Sequence, residues 1–191
     1  MKKLIISLLL FAAAASAQNK WTIETSHSSI NFTVAHLVIS EVTGRFREFS
    51  GKVESIRDDF SDMKLDVVIK ANSIDTDEPK RDTHLKSPDF FDADRYPDIT
   101  FKSTRVTKVD DNTLTVVGDL MMRGVTRSVE LNVVFKGKSK NPMGQTVAIF
   151  KAATVINRTE WGLKWNRVLE GGGLLAGENV TLNLNIELVR G

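Results

Sequence analysis

The sequence predicts an all-β protein, an eight-stranded antiparallel barrel with a short helix inserted between two of its strands. Apolar and polar residues alternate with period two through most of the chain, which is typical of strands with one buried face. Turn-forming residues separate these runs at fairly regular intervals. Eight or more long strands in one sheet favour closure into a barrel, because a closed sheet has no exposed edge.

The first 17 residues are predicted to be a secretory signal peptide. Lys2 and Lys3 precede an apolar run over residues 4–14, and Ala15-Ser16-Ala17 supplies an A-x-A cleavage site. Cleavage after Ala17 would leave residues 18–191 as a single domain in a periplasm or in the extracellular space. The chain has 26 basic and 24 acidic residues, and two of the basic ones lie in this segment, so the remainder holds 24 of each.

This composition excludes several classes of function. A formally neutral domain lacks the basic footprint of a nucleic-acid-binding protein. The chain has no cysteine, which excludes thiolate metal sites, thiol redox chemistry and a cysteine nucleophile. The apolar run at residues 4–14 is too short to span a bilayer, and no later run reaches 18 apolar residues. We therefore expect no cofactor, no nucleic-acid partner and no transmembrane segment in residues 18–191.

The strands follow from the alternating runs, of which the clearest covers residues 180–188. Every even position of that run is aliphatic and every odd position is polar. The predicted strands, in chain order, are 21–26, 30–35, 44–56, 65–70, 99–109, 114–122, 129–135, 146–156 and 180–188.

One segment between the strands has a helical rather than an extended pattern. Asp77 is a plausible N-cap, Pro79 falls in the first turn and Pro88 forces a stop, so we expect a helix at about 78–86. An aromatic-rich connection follows this helix, and a second irregular stretch at 158–165 contains two tryptophans.

Candidates for catalysis are few. The motifs Gly-x-Ser-x-Gly and His-Glu-x-x-His are both missing from the sequence. His27, His36 and His84 would make a metal site if they met in space, and Ser28 or Ser29 would make a triad with His36 and an aspartate. The simpler interpretation is that each histidine is a strand-end or loop residue bonded to backbone or water.

The abundant apolar residues leave two interpretations open. An eight-stranded barrel is close to the size at which the interior is either just filled by side chains or has room for one small ligand. The alternation does not decide between a solid core and a ligand cavity.

Six segments occur in a characteristic order along residues 20–189: His27-Ser28 with Ile30, Phe32, Val34 and His36; Val42 to Gly51; Ser73 to Thr76 with Arg81 to Asp92; Tyr96-Pro97 with Ile99, Phe101 and Ser103; Gly118 to Val129; and Asn157 to Gly162. Together they resemble the YceI-like family of exported, lipocalin-like polyisoprenoid-binding proteins. Two positions depart from the family pattern. Thr25 stands where an acid is usual, and Met121 stands where a threonine is usual, which would alter either the cavity wall or only the outer face.

The resemblance implies a non-enzymatic carrier that holds a long isoprenoid chain, a quinone or prenyl phosphate, or a similar amphipathic lipid in the lumen. The apolar parity of the strands then predicts the lumen side chains: Phe32, Val34, Leu65, Val67, Ile69, Phe101, Leu120, Met122, Val133 and Phe150. Polar and aromatic residues are predicted at the mouth and headgroup: His36, Arg81, His84, Phe90, Phe91, Arg158, Trp161 and Trp165.

Four alternatives stay open at this stage. Arg81 and Arg158 can instead form ion pairs with Asp82, Asp89 or Glu160 that pin the loops. The protein can be a hydrolase or metal-dependent enzyme that uses the region of His36 and His84, or an inert surface or adhesion scaffold. A homodimer formed through an open barrel end is a further arrangement that the sequence allows.

Overall fold

The computed structural model describes residues 19–170 and 172–191, and the predicted signal peptide at 1–17 lies outside them. The described residues form eleven strands and one α-helix, α1, at Pro79–Lys86. The strands are β1 Asn19–Ile23, β2 Ser29–His36, β3 Ser40–Phe46, β4 Phe49–Ser55, β5 Lys64–Lys70, β6 Ile74–Asp75, β7 Asp98–Lys108, β8 Thr113–Met122, β9 Val125–Lys140, β10 Thr146–Asn157 and β11 Ala176–Arg190. No helix of these residues is long and apolar enough to cross a membrane.

The eleven strands make a closed antiparallel barrel of eight staves, which confirms the predicted fold class. We use the word stave for one full strand position of the barrel wall. The first three staves are interrupted and consist of β1 with β2, β3 with β4, and β5 with β6, whereas β7 to β11 are one stave each. Successive staves pair with their neighbours, and β1 pairs with β11 through Trp21 and Arg190. This last pairing removes the sheet edge.

Two of the interruptions correct the predicted strands. The run 44–56 is divided at Arg47 and Glu48, whose backbone groups bond Ser73 and Lys70 on the neighbouring stave. The predicted strand 21–26 ends at Ile23 and continues into a 3₁₀ turn, because the carboxylate of Glu24 accepts a hydrogen bond from the backbone of Ser26 at 2.9 Å. Such a local side-chain bond competes with the strand ladder.

The helix prediction is confirmed in its position but is wrong about its cap. Glu78, not Asp77, is the N-cap of α1, and its carboxylate accepts from the backbone N–H groups of Lys80 and Arg81. Asp77 precedes the cap with a φ of 58°. Pro79 occupies the first turn, where its missing N–H costs nothing.

An aromatic cluster closes one end of the barrel. Phe60, in the β4–β5 loop, has no exposed surface. Its ring centroid lies 5.2 Å from that of Trp21, 5.3 Å from that of Phe135 and 5.0 Å from that of Phe150. We call this end, which also carries the β7–β8 and β9–β10 turns, the floor. The opposite end carries α1, the β2–β3 turn and the β10–β11 loop, and we call it the mouth.

Candidate functional site

The barrel encloses a cavity of about 560 Å³. This volume lies within the range of roughly 300–1,000 Å³ that small-molecule sites occupy. The ten side chains predicted for the lumen all lie on its wall, and every one is hydrophobic: Phe32, Val34, Leu65, Val67, Ile69, Phe101, Leu120, Met122, Val133 and Phe150. The interior is therefore hollow, and the solid-core interpretation is wrong.

Strand parity positions this wall. On β8, Leu120 and Met122 face the cavity, whereas Met121 lies between them on the other face and pairs with Thr100 and Thr126. The family departure at Met121 therefore changes the outer surface and leaves the cavity wall unchanged.

One complete side of the wall was not among the residues predicted from the sequence. Val180, Leu182, Leu184, Ile186 and Leu188 of β11 line the cavity. They are the even positions of the clearest alternation in the chain, so the same parity argument was sufficient to find them. The loop residues Leu163 and Leu175 also line the cavity, and no periodic signal marks them.

The polar side chains that line the cavity lie at the mouth. Toward the floor, its lining includes Val53 and Met63, which are buried above the Phe60 cluster. At the mouth, its lining includes the exposed Lys80 and the half-exposed His84. A long ligand would consequently enter past α1 with its apolar end directed toward the floor.

Arg158 is the most deeply buried charged group among the described residues of the mouth, with 5% of its surface exposed. It lies in a 3₁₀ turn after β10, and its guanidinium donates to four carbonyl oxygens. These belong to Gly177 at 2.8 Å, Trp165 at 3.1 Å, Ala176 at 3.3 Å and Leu163. The predicted ion pair of Arg158 with an acid is not formed, and backbone carbonyls hold the loop together instead.

The charge of Arg158 is partly desolvated. Burial lowers the pKa of Arg158 below its ordinary value, and the carboxylate of Glu178 opposes that shift. The guanidinium carbon lies 5.9 Å from the ring centroid of Phe90, another side chain of the wall. Because a guanidinium stays protonated at neutral pH, the mouth has a fixed positive charge next to an apolar cavity.

Arg81 also contacts backbone and hydroxyl groups in place of the predicted carboxylate. Its Nε donates to Oγ1 of Thr76 at 2.7 Å, and its Nη2 donates to the carbonyl oxygen of Thr76 at 2.7 Å. Asp82 accepts from the same threonine hydroxyl. Arg81 thereby joins the first turn of α1 to the end of β6 and remains on the cavity wall.

His84 forms the aromatic part of the mouth. Its Nε2 lies 2.9 Å from a carboxylate oxygen of Asp89, and its ring packs edge-on against Phe90 and Trp165 at centroid distances of 5.1 and 4.7 Å. Phe91 lines the cavity beside them and packs edge-on against Phe46 at 5.8 Å.

His36 lies at the end of β2 and also lines the cavity. Its Nδ1 is 3.4 Å from Oγ of Ser40 across the β2–β3 turn.

Ser28 and Ser29, the predicted triad serines, lie seven or more residues from His36 along one stave, a distance of about 23 Å or more in an extended strand. His27 is farther away still, so neither the triad nor the three-histidine metal site is formed. The described residues contain no other group of three acidic or histidine side chains that could hold a metal ion.

Trp161 is a correction to the predicted mouth. Its side chain is 2% exposed and does not line the cavity. Its Nε1 donates to the carbonyl oxygen of Leu120 at 3.0 Å, which anchors the β10–β11 loop to β8. A buried indole N–H usually finds such a partner, and the sequence contained no sign of which partner Trp161 would find.

The fold and the cavity define a class: small, closed antiparallel barrels that hold an apolar chamber open at one end, as lipocalins do. The chain belongs to the YceI-like domain family, whose model matches residues 21–188. The UPF0312 protein SAB2563 of Staphylococcus aureus (strain bovine RF122 / ET3-1) is 39% identical over 168 residues, which cover 87% of this chain and 95% of that protein.

Two solved structures share the fold. Burkholderia cenocepacia BcnA superposes with a TM-score of 0.73 at 18% identity, over 86% of this chain and 98% of that one. A polyisoprenoid binding domain from Saccharophagus degradans, implicated in plant cell wall breakdown, superposes with a TM-score of 0.69 at 15% identity, over 90% of this chain and 98% of that one.

Proposed function

We propose that this protein is an exported, non-enzymatic carrier that sequesters one long-chain isoprenoid, a quinone or a prenyl phosphate, or a similar lipid, in its barrel. The observation that carries the proposal is the cavity itself, which is apolar along the whole wall and polar only at the mouth. The YceI-like fold supports binding of lipids or isoprenoids in general, and a structural neighbour is a polyisoprenoid binding domain.

The dimensions of the cavity suit an extended tail. Its lining residues on the stave of β10 run from Phe150 to Arg158. Eight residues of strand span about 26 Å, and at the usual barrel tilt of about 40° they cover about 20 Å along the axis. A longer tail must fold back or protrude at the mouth.

Burial of the tail provides the affinity. Each buried CH₂ contributes about 0.8 kcal/mol, so some twenty buried carbons contribute on the order of 16 kcal/mol before costs are subtracted. Ordering of the chain and loss of its free translation oppose much of this gain. Since this term depends on the buried area and not on the identity of the tail, the cavity should discriminate only weakly between lipids with different tails.

The headgroup would lie among Arg81, His84 and Arg158. One Nη2 hydrogen of Arg158 forms no hydrogen bond with the described residues. Nη1 of Arg81 forms none with them either, since Arg81 donates through Nε and Nη2. Guanidinium N–H groups suit phosphate or quinone carbonyl oxygens. The contacts of His84 do not favour a hydrolase, because His84 contacts a carboxylate and two rings and no hydroxyl group among the described residues. The hydroxyl of Ser40, 3.4 Å from Nδ1 of His36, donates instead to the carbonyl oxygen of His36 at 2.8 Å.

Native mass spectrometry of the protein purified without detergent tests the proposal. We expect the native mass to exceed that of the polypeptide. Denaturation should remove this increment and release a lipid with a long apolar tail. A matched pair of variants places the lipid: Ala152→Trp fills the cavity, whereas Ala153→Trp adds the same ring on the exposed face of the same strand. The first variant should lose the increment and the second should keep it. A wild-type protein that carries no lipid and takes up none from added prenyl alcohols would overturn the proposal.

A further inference from the structure

The β2–β3 turn exposes three consecutive hydrophobic side chains at the mouth. Val38 and Ile39 are 67% and 91% exposed, and Leu37 is also exposed. A three-residue turn between His36 and Ser40 would ordinarily contain glycine, asparagine or aspartate. The barrel closes through the pairing of its strands, and nothing in that pairing requires apolar side chains at the tip of the turn.

The backbone of this turn is strained. Leu37 and Val38 have φ angles of 54° and 68°, in the left-handed region. That region is unfavourable for residues with a Cβ and more so for a β-branched one such as Val38. Strained positions of this kind concentrate at functional sites, since selection for stability alone would remove them.

A second apolar loop adjoins the turn. The backbone N–H of Leu37 donates to the carbonyl oxygen of Leu175 at 2.9 Å, and Cγ2 of Val38 lies 3.0 Å from the position that a Cβ on Gly173 would take. In the same loop, Val168 bridges Leu174 and is 74% exposed. We call Leu37, Val38, Ile39 and Val168 the apolar rim.

The apolar rim is continuous with the cavity. His36 precedes the turn directly and lines the cavity, as does Leu175. The other strongly exposed hydrophobic residues of the described chain are dispersed: Ile56, Val109 and Met143 lie on three separate floor turns, and Val155 lies on the outer wall. Lys164, Arg167 and Glu170 are exposed in the loop that carries Val168, and the exposed Glu41 follows the β2–β3 turn, so charges of both signs flank the rim.

We propose that the apolar rim inserts into a lipid bilayer and seats the mouth on the membrane. A lipid tail that moved from a bilayer to a raised mouth would be exposed to water, whereas a mouth sealed on the bilayer avoids that exposure. Exposed aliphatic side chains beside charged ones match the apolar and polar layers of a membrane interface. The proposal that the barrel carries lipid motivates this inference, but insertion can be measured independently of cargo.

Site-specific labelling tests the insertion directly, because the chain has no cysteine. Ile39→Cys places a single thiol on the rim, and Met143→Cys places one on a floor turn as the control. With an NBD label and phosphatidylcholine vesicles, with and without phosphatidylglycerol, the label at residue 39 should brighten and shift to the blue. It should also be quenched by lipids that carry a spin label in the acyl chain. The label at residue 143 should change little.

A triple variant separates the rim from the cavity. Leu37→Asn, Val38→Gly and Ile39→Ser supply residues that tolerate this turn, so the barrel should unfold at the same temperature or higher. We expect vesicle partitioning to fall by about tenfold or more, and transfer of a fluorescent prenyl probe from vesicles to slow. Equilibrium uptake of the same probe from dilute detergent should be unchanged.

The outcomes distinguish this inference from the proposed function. If the wild type takes up no prenyl probe from dilute detergent, the carrier function is wrong. Membrane insertion would then still be tested by the fluorescence of the label at residue 39. If the label at residue 39 is insensitive to both vesicle types, the membrane-docking proposal is wrong. A concentration-dependent dimer that the triple variant abolishes, with no response to vesicles, would instead assign the rim to a second copy of the chain.

Discussion

Nη1 of Arg158 lies 3.1 Å from the carbonyl oxygen of Trp165, which is seven residues farther along the chain. With the contacts to Leu163, Ala176 and Gly177, this bond ties both ends of the β10–β11 loop to one buried side chain. The same guanidinium lies on the cavity wall. The residue that organises the loop thus also places positive charge at the mouth.

Arg158→Met is therefore expected to destabilise the barrel. The substitution preserves much of the apolar stem but leaves four carbonyl oxygens without their donor, so the free energy of unfolding should fall by about 2–4 kcal/mol. Urea denaturation followed by tryptophan fluorescence measures this change. Arg158→Lys retains the charge but has its three donors on one atom, so its free energy of unfolding should lie between those of Arg158→Met and the wild type. A decrease below about 1 kcal/mol for Arg158→Met would show that the network is unimportant for stability.

Phe101→Asp should abolish lipid uptake and strongly destabilise the fold. Phe101 is buried on the cavity wall, and an aspartate there would be a charge without a partner. Thr100→Asp places the same charge on the opposite face of β7, where Thr100 pairs with Val68 and Met121, and should largely retain uptake. Binding of a fluorescent prenyl probe and thermal unfolding measure the two effects. Normal uptake by Phe101→Asp would refute the assignment of inward and outward faces.

Stability should decrease as the pH falls from about 4 to about 2, in part through Asp59. A hydrogen bond from the backbone N–H of Ser61 lowers the pKa of Asp59 to about 2, and its contact with Lys108 acts in the same direction. The folded state then binds fewer protons than the unfolded state between these pH values, so stability is present above pH 4 and is lost as this group protonates.

The pH dependence is checked with one variant and one control. Asp59→Asn should reduce the slope of the unfolding free energy against pH in this window. Asp94→Asn, which also removes one exposed carboxylate but lies at the mouth end, is the matched control. Equal slopes for the wild type and Asp59→Asn would contradict the lowered pKa.

The proposed export of the protein predicts a defined N-terminus. Protein recovered from outside the cytoplasm should begin at Gln18, as measured by intact mass spectrometry, because Ala15-Ser16-Ala17 is the expected cleavage site. Ala15→Arg should leave the precursor uncleaved, whereas Ala13→Ser, which leaves the site intact, should be processed normally. A cytoplasmic protein that retains Met1 would refute export.

The parity of the strands could be predicted from the sequence because it is a local property. Side chains at i and i+2 point to the same face whatever the rest of the chain does. Phe32 and Val34 on β2, and Leu120 and Met122 on β8, could therefore be assigned to the interior before their strand neighbours were known. The loops have no such period, and this explains why Trp161 was misplaced and Leu163 and Leu175 were missed.

The sequence by itself determined an all-β architecture and the inward faces of its strands, since alternation and turn residues act over a few neighbouring positions. Only the tertiary structure decided that the interior is hollow, that Phe60 closes the floor and that Arg158 bonds four carbonyl oxygens at the mouth. The size of the interior depends on how eight staves stagger and tilt around the axis. The partners of a buried polar group depend on which distant segments the closed barrel brings within about 3 Å of it.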